Sequence, residues 1–242
     1  MRNYEIEGVR YPSVTEILDA AFPTDWEKKA LEYDAIHGVG AWERRRQARS
    51  HEGKLLHKSA QTYLEGNLHP TVLPCIRTYW ESLLEGLATL PPHNVIALEE
   101  PVVNKELGYA GTPDAVLELE SGSRWLLDFK TFEGYQLHRG GSQDTWPLWK
   151  RSIKKVPTPT EPGWEWTTPI FRRALLQGCL YKLALDLQTP EKQIEKISLW
   201  VATKSCGLQK IAFPYRLWND CYQEAISIVE KFHQAKKPNS RQ

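Results

Sequence analysis

The chain has 242 residues, of which 41% are hydrophobic and 25% are charged, and its formal net charge is +1. These proportions are ordinary for a globular protein, and the length fits one domain with a full-sized hydrophobic core. The nearly neutral charge excludes a uniformly basic, histone-like nucleic-acid binder, so any contact with nucleic acid has to come from a local basic patch.

Three helices are predicted in the first part of the chain, at residues 14–36, 41–65 and 72–88, and Ser13 or Thr15 could cap the first of them. Alternating apolar and polar residues, with turn signals between the runs, predict the strands that follow. The later elements are predicted in this order: a strand at 95–103, a hairpin of strands at 109–118 and 124–130, a helix at 169–187, a strand pair at 194–203 and 208–214, and a helix at 216–234.

These elements predict a single domain over residues 1–242. An N-terminal helical region at 1–93 precedes a core at 94–235, the core contains a long insertion at 131–168, and the tail at 236–242 is predicted to fray. No run approaches the roughly 20 apolar residues of a membrane span, and the first residues match neither a secretion signal nor a transit peptide. We therefore expect a cytoplasmic protein that does not bind a membrane.

Charged side chains mark both strands of the predicted hairpin. Gly111-Thr-Pro-Asp114 lies in the first strand, and Asp128-Phe-Lys130 ends the second. Residues i and i+2 of a strand share a face, so Asp128 and Lys130 point the same way while Phe129 points into a core. An Asp-x-Lys at a strand end is commonly a solvated pair, and it is the upstream Asp114 that favours a functional site.

Two carboxylates and one ammonium group would then converge at this hairpin. Carboxylate oxygens are the ligands of hard divalent cations, and a lysine can position the attacking water or stabilise charge at phosphorus. The residues themselves therefore predict a metal-dependent phosphodiesterase.

Two further motifs flank the hairpin. Gly53-Lys-Leu-Leu-His57 is a Gly-x-x-x-His element before it, and Gln177-Gly-Cys-Leu-Tyr181 is a Gln-x-x-x-Tyr element on the helix after it. With the hairpin carboxylates and lysine, they resemble the RecB-type exonuclease branch of the PD-(D/E)xK nuclease superfamily. Pro12-Ser-Val-Thr-Glu-Ile-Leu18 and the stretch 217–225 resemble the group that includes the mitochondrial genome maintenance exonuclease and its bacterial relatives, so the similarity covers most of the chain.

The resemblance implies a restriction-endonuclease-like α/β fold, in which a central mixed sheet is flanked by helices and an N-terminal helical region is added. It implies a metal-dependent deoxyribonuclease that uses Mg²⁺ or Mn²⁺ and acts as a single-strand-preferring, end-dependent exonuclease. The alternatives are a double-strand exonuclease, an endonuclease of a defence or repair system, and a nucleic-acid-binding subunit without catalysis.

The expected partner is therefore DNA, preferably single-stranded, and the sequence identifies no protein partner. The chain has no Gly-x-x-x-x-Gly-Lys-[Ser/Thr] loop, so no nucleoside triphosphate is expected. Some relatives carry an iron–sulfur cluster on one distant cysteine and a closely spaced C-terminal trio. This chain lacks that trio, so no cluster is expected, and its scattered cysteines are predicted to be reduced and mostly buried: Cys75, Cys179, Cys206 and Cys221.

The resemblance also assigns roles in the site. Asp114 and Asp128 are implied to be metal ligands, the backbone carbonyl of Phe129 faces the metal, and Lys130 positions water and stabilises charge. His57 supplies an imidazole ligand, which would favour Mn²⁺ over Mg²⁺ because imidazole is a softer donor than oxygen.

Four further residues are expected to lie near these ligands. Gln177 and Tyr181 are four residues apart on one helix face, and in the family this pair lines the site and contacts DNA or orients the lysine. The alternative is a buried polar pair that satisfies the core. Either Glu99 or Glu100 could reach the metal, and the sequence does not choose between them.

Two basic segments are candidate DNA contacts. Arg44, Arg45 and Arg46 belong to a charged helical run before His57, and a phosphate track is as plausible there as a solvated face. The insertion at 131–168 is longer than an ordinary connection and combines tryptophans with basic residues, which predicts stacking and charge contacts to single-stranded DNA. The alternative is that these tryptophans pack on the core. The predicted contacts are Trp146, Trp149, Lys150, Arg151, Lys154 and Lys155.

Overall fold

The computed structural model of the chain describes residues 4–132, 149–151, 164–166, 169–204, 207–213 and 215–236. A β-hairpin of β1 (Tyr4–Ile6) and β2 (Val9–Tyr11), which the sequence analysis did not predict, opens this part of the chain. The helices that follow before the main sheet are α1 (Val14–Ala21), α2 (Trp26–His37), α3 (Ala41–Leu64) and α4 (Arg77–Leu87), with a 3₁₀ turn at Pro74–Ile76 before the last.

The single helix predicted at 14–36 is wrong, because the structure divides it into α1 and α2. Ser13 caps α1 by accepting a hydrogen bond from the Glu16 backbone N–H at 3.0 Å. The helix ends at its C-cap, Phe22, immediately before Pro23, and Asp25 caps α2. A proline lacks the N–H that a continuing helix needs and disfavours helical backbone in the residue before it, so the break follows from the sequence.

The predicted strand at 95–103 is also divided. β3 (His93–Leu98) pairs in the main sheet, whereas β4 (Val102–Asn104) pairs with β5 (Tyr109–Gly111) in a separate hairpin. Glu99 stands at the break with φ of 49°, in the left-handed region that side chains other than glycine rarely adopt.

The predicted strand at 109–118 is divided in the same way into β5 and β6 (Ala115–Leu119). Pro113 lies in the gap, where it cannot interrupt a ladder of hydrogen bonds. The two breaks lie side by side, because the backbone N–H of Glu99 donates to the backbone carbonyl of Asp114 at 3.2 Å. Two acidic side chains are thereby brought together at one edge of the sheet.

The remaining elements complete the fold: β7 (Arg124–Phe132), the short hairpin of β8 (Trp149–Arg151) and β9 (Trp164–Trp166), α5 (Pro169–Gln188), β10 (Ile194–Thr203), β11 (Leu208–Ala212) and α6 (Tyr215–Lys236). The main sheet has the strand order β11-β10-β7-β6-β3. β7 and β10 are parallel and the other neighbours are antiparallel. This mixed sheet, flanked by helices, confirms the predicted fold class, and no helix in the described ranges is both long and apolar enough to cross a bilayer.

Helices cover both faces of the main sheet. Leu126 of β7 packs in one cluster with α1, α5 and α6, whereas its neighbour Leu127 packs in a second cluster with α3 and α4. Successive side chains of a strand point to opposite faces, so one strand contributes to both cores. β7 is therefore buried on both faces and can hold its terminal side chains in fixed positions.

The thiols follow the prediction only in part. Cys179 and Cys221 are buried, Cys75 is exposed, and Cys206 lies outside the described residues.

Candidate active site

Three side chains that can bind a metal converge beside the main sheet. His57 comes from α3, Glu99 from the break after β3, and Asp114 from the loop before β6. One ligand atom of each lies within 4.8 Å of the others. His57 Nδ1 is 3.3 Å from Glu99 Oε1 and 3.3 Å from Asp114 Oδ1. One imidazole nitrogen and two carboxylate oxygens are a donor set that suits Mn²⁺ or Mg²⁺.

The backbone of β7 holds two of these side chains, His57 and Asp114, in place. The Phe129 N–H donates to Asp114 Oδ2 at 2.6 Å, and the Phe129 carbonyl oxygen lies 2.9 Å from His57 Nε2. The Phe129 ring itself is buried and meets the His57 ring edge-on, with the ring centroids 6.3 Å apart. One residue therefore orients both the carboxylate and the imidazole through its backbone, while its side chain anchors it in the core.

Asp128 and Lys130 form an ion pair next to this group. Lys130 Nζ donates to Asp128 Oδ1 at 2.7 Å. It also lies 2.6 Å from Oδ2, but that oxygen accepts no hydrogen bond of good geometry although it is buried. Asp128 is not one of the three closely grouped ligands, and Glu99 stands there with His57 and Asp114. The role of Asp128 as a ligand remains a prediction, and its Oδ2 has lone pairs to offer.

The charged groups in this cluster shift one another's pKa values. Burial alone would lower the pKa of His57, but the Asp114 carboxylate, 3.3 Å away, and Glu99 outweigh it and raise the pKa to about 10. Burial alone would raise the pKa of Asp114, yet His57, Lys130 and the Phe129 N–H hold it below its usual value. The imidazole and the Lys130 ammonium group are thus both positive charges that favour the ionised Asp114 carboxylate.

The pKa of Asp128 shifts in the opposite direction from that of Asp114. Burial raises the pKa of Asp128 above its ordinary value, despite the neighbouring Lys130. Burial would lower the pKa of Lys130, but Asp128 and Asp114 raise it, so the ammonium group stays charged at neutral pH.

Gln177 and Tyr181 lie on one face of α5 and are hydrogen-bonded to each other, with Gln177 Nε2 donating to the Tyr181 hydroxyl at 2.8 Å. Both line the same cavity as His57 and Lys130. Burial raises the pKa of the Tyr181 phenol, so its hydroxyl keeps its proton and can donate it in a hydrogen bond.

Tyr181 packs directly on Gly111, at the start of the Gly-Thr-Pro-Asp motif. A Cβ at position 111 would lie 2.4 Å from Tyr181 Cε1 and 3.0 Å from Val14 Cγ2. Gly111→Ala is therefore expected to lower the free energy of unfolding by about 1–3 kcal/mol through overpacking. Chemical denaturation measures this loss of stability. The loss should be smaller in a Tyr181→Ala background, because that change removes the ring with which the new methyl group would clash. Equal costs in both backgrounds would contradict this packing role.

The cluster opens onto a cavity of about 1000 Å³. α3 forms one wall with Arg49, Gly53 and Lys54, and residues of α1 and of the end of α6 form a second wall. That second wall is closed by ion pairs, since Lys236 Nζ lies 2.7 Å from Glu16 Oε1 and Arg173 pairs with Asp19. The N-terminal helices therefore frame the cavity that the core residues occupy.

The structure distinguishes between several of the remaining predicted residues. Glu99 lies beside His57, whereas Glu100 is exposed. The arginines at 44–46 do not line the cavity and make local contacts. Those contacts are from Arg44 to the Val39 carbonyl, from Arg45 to the Tyr33 hydroxyl and from Arg46 to the Glu43 carboxylate.

The predicted contacts of the insertion are described only in part. Trp149, Lys150 and Arg151 form β8. Trp146, Lys154 and Lys155 lie outside the described residues, as do the side chains of β8. Stacking of DNA on this segment stays a prediction.

Tyr4 lines the cavity without any signal in the sequence, and Arg49 lines it as the last arginine of the charged run that the sequence analysis gave as a candidate phosphate track. Tyr4, in the first hairpin, shares a hydrogen bond of 2.8 Å with Thr112, and no local pattern indicates a contact across so much sequence. Arg49 lines the cavity, although the residues before it in the arginine run do not. Its spacing distinguishes it from the other arginines of the run, because residues 49, 53 and 57 follow one another at helical turns on one face of α3.

Comparisons with known proteins identify a fold and no family. No protein-family profile and no curated protein matches this chain. A crystal structure of a "Putative exonuclease" from Eubacterium rectale aligns with a TM-score of 0.50 and 16% identity, over 93% of this chain and 79% of that one. The crystal structure of SSO0001 aligns with a TM-score of 0.36 and 13% identity, over 89% of this chain and 74% of that one, too distant to carry an argument. At this level of identity, the first likeness shows a shared mixed α/β fold alone.

Proposed function

We propose that this chain is a metal-dependent deoxyribonuclease of the PD-(D/E)xK type, in the RecB-like exonuclease branch, with a preference for single-stranded DNA. The observation that supports it most is the meeting of His57, Glu99 and Asp114 at a cavity, with the Asp128–Lys130 pair beside them. A distant likeness to a protein whose name is that of an exonuclease supports the same class of activity.

The donor set supports a divalent cation. His57 Nδ1, Glu99 and Asp114 would hold it, with Asp128 Oδ2 as a further donor. The Phe129 carbonyl, which was predicted to face the metal, contacts His57 Nε2 instead, at the other nitrogen of the ring. Oxygen ligands suit the hard cations Mg²⁺ and Mn²⁺, and the imidazole shifts the preference towards Mn²⁺. When bound, such a cation acts as a Lewis acid at the phosphate and lowers the pKa of water.

The side chains of the chain supply the rest of the chemistry. Lys130 lines the cavity as a charged ammonium group held by Asp128, and it stabilises negative charge that grows on the phosphate oxygens during hydrolysis. Phe129 keeps His57 and Asp114 oriented through its backbone, so the ligands need not reorganise during the reaction. Tyr181, supported by Gln177, offers a neutral hydroxyl donor to the bound strand.

The choice of DNA rests on charge and on the resemblance of the motifs. Three cations of α3, Arg49, Lys54 and Lys58, line the cavity, and a polyanionic backbone is attracted to such a wall. The preference for single strands follows from the likeness of the motifs to exonucleases whose site is framed by N-terminal helices.

Cleavage assays test this function directly. End-labelled single- and double-stranded DNA of one sequence is incubated with purified protein and Mg²⁺, Mn²⁺ or EDTA, with RNA as a comparison substrate. We expect shortening of the single strand with Mn²⁺ or Mg²⁺, slower loss of the duplex and no cleavage in EDTA. A folded protein that cleaves no DNA with either cation would refute the nuclease, and faster cleavage of the duplex would refute the single-strand preference.

A further inference from the structure

Gly53 places no side chain in the part of the cavity wall that α3 forms and leaves a gap there. It lies inside the helix and faces the cavity, one turn before His57. Glycine is less favourable than alanine inside a helix, so such a residue generally has a local reason. A packing reason is visible at Gly178, where a Cβ would lie 2.6 Å from Ile197 Cγ2. At Gly53, nothing in the described part of the chain lies within 4 Å of a Cβ, so packing there gives no such reason.

Arg49 stands one turn before this gap, on the same face of α3. Its Nη1 donates to the hydroxyl of Tyr79 at 2.6 Å, and the Tyr79 side chain is fully buried. A guanidinium group has five N–H donors in a rigid plane, and that shape suits bidentate binding of a phosphate. Tyr79, together with the Glu52 carboxylate 3.9 Å from the same nitrogen, therefore holds the guanidinium group in place at the cavity.

The wall around the gap is cationic. The residues of α3 that line the cavity include Arg49, Lys54 and Lys58, and none of those lining residues is a carboxylate. The carboxylates of the metal-ligand cluster, Glu99 and Asp114, lie beside His57, each 3.3 Å from its Nδ1. A phosphodiester backbone lying along α3 would therefore meet cations first and the cluster last.

We propose that the groove over Gly53, between Arg49 and His57, is a subsite for the sugar-phosphate backbone of the strand next to the bond that is cut. The missing side chain admits the backbone against the helix, and Arg49 binds a phosphate. Gly53 and Arg49 precede His57 by about 6 and 12 Å along the helix axis. The longer distance corresponds to about three nucleotides at the rise of duplex DNA, and to fewer in an extended strand. This subsite deepens the proposed function and rests on it.

Gly53→Ala gives the sharpest test, because stability and binding should change in opposite directions. The added methyl group favours the helix, so Tm is expected to rise by about 2–4 °C. The same group fills the gap, so affinity and kcat/KM for a linear single strand are expected to fall about tenfold. Tm is followed by circular dichroism, affinity by anisotropy of a fluorescein-labelled oligonucleotide in EDTA, and kcat/KM by cleavage with Mn²⁺.

Arg49→Gln should cause a similar loss of affinity, and Arg49→Lys should recover part of it by restoring the charge without the fork. Arg45→Gln is the matched comparison, because Arg45 lies one turn earlier on α3 and donates to the hydroxyl of Tyr33 at 3.0 Å in the same way. Only Arg49 lines the cavity, so the loss should be clearly larger for Arg49→Gln.

The outcomes separate this subsite from the nuclease function. A wild-type protein that cleaves DNA, with a Gly53→Ala variant that binds and cleaves like it, would overturn the subsite alone. Equal losses for Arg49→Gln and Arg45→Gln would do the same, because they would indicate general attraction to α3. A wild-type protein that cleaves no DNA would overturn the nuclease proposal and the subsite with it.

Discussion

Asp114→Asn is expected to remove DNA cleavage while the protein stays folded. The asparagine side-chain oxygen can still accept the hydrogen bond that the Phe129 N–H donates to Asp114 Oδ2, so the loop before β6 keeps its anchor. The negative charge that would hold the cation is lost, and a neutral amide is a far weaker ligand for a hard cation. We expect the cleavage rate to fall by more than about a hundredfold, the upper range for outer partners of metal sites.

Cleavage of a labelled single strand with Mn²⁺ measures this loss, and the thermal unfolding of the variant shows whether the fold survives. Glu99→Gln and Glu100→Gln form a matched pair of controls. Glu99 lies beside His57 and should cost much of the activity, whereas the exposed Glu100 should cost far less. A folded Asp114→Asn protein that cleaves at the wild-type rate would refute the assignment of the site.

A closed circle of single-stranded DNA is expected to resist the enzyme, while a linear strand of the same sequence is degraded. Residues of α1 and α3 line the cavity that holds the metal-ligand cluster, and the resemblance to exonucleases whose site is framed by N-terminal helices predicts that the strand enters end first. A circle has no end to thread. A blunt duplex should also be a poor substrate, because separating each base-pair step costs about 1.4 kcal/mol.

The two substrates are compared at equal nucleotide concentration with Mn²⁺ present, and we expect the closed circle to stay intact over the time in which the linear strand is degraded. The same circle opened by a single cut serves as the control, since it restores an end without changing the sequence. Rapid cutting of the closed circle would exclude entry by threading and indicate an endonuclease, but it would leave the metal site as proposed.

Local sequence patterns predicted much of this fold. A short apolar run after a turn signal indicated β7, two strand-like runs about a turn indicated β10 and β11, a long charged stretch with little glycine indicated α3, and an amphipathic pattern indicated α5. Three errors fell where a proline interrupts the pattern, after Phe22, after Glu100 and before Asp114, whereas the unpredicted hairpin of β1 and β2 contains no proline. An apolar pattern can continue across such a residue although the backbone cannot.

Some residues of the site could likewise be identified from local sequence, whereas others could be identified only from the tertiary structure. The sequence determined which side chains could carry the chemistry, since the spacing of Asp128 and Lys130 on one strand and of Gly53 and His57 on one helix is local. The tertiary structure alone decided that Glu99, and not Glu100, lies beside His57, because that choice depends on the turn of the backbone between β3 and β4.

Arg49 illustrates the physical reason. The arginines of the run in α3 are chemically the same. Among them, it is Arg49 that both lines the cavity and contacts a buried tyrosine, Tyr79, thirty positions further along the chain. The meeting of His57 with the Phe129 carbonyl, 72 positions away, is equally remote in sequence. The sequence therefore determined the local elements and the chemical groups that they carry. Only the packing of α3 and α4 against β7 decided which of those groups meet, because contacts between distant segments form only when the chain closes around its core.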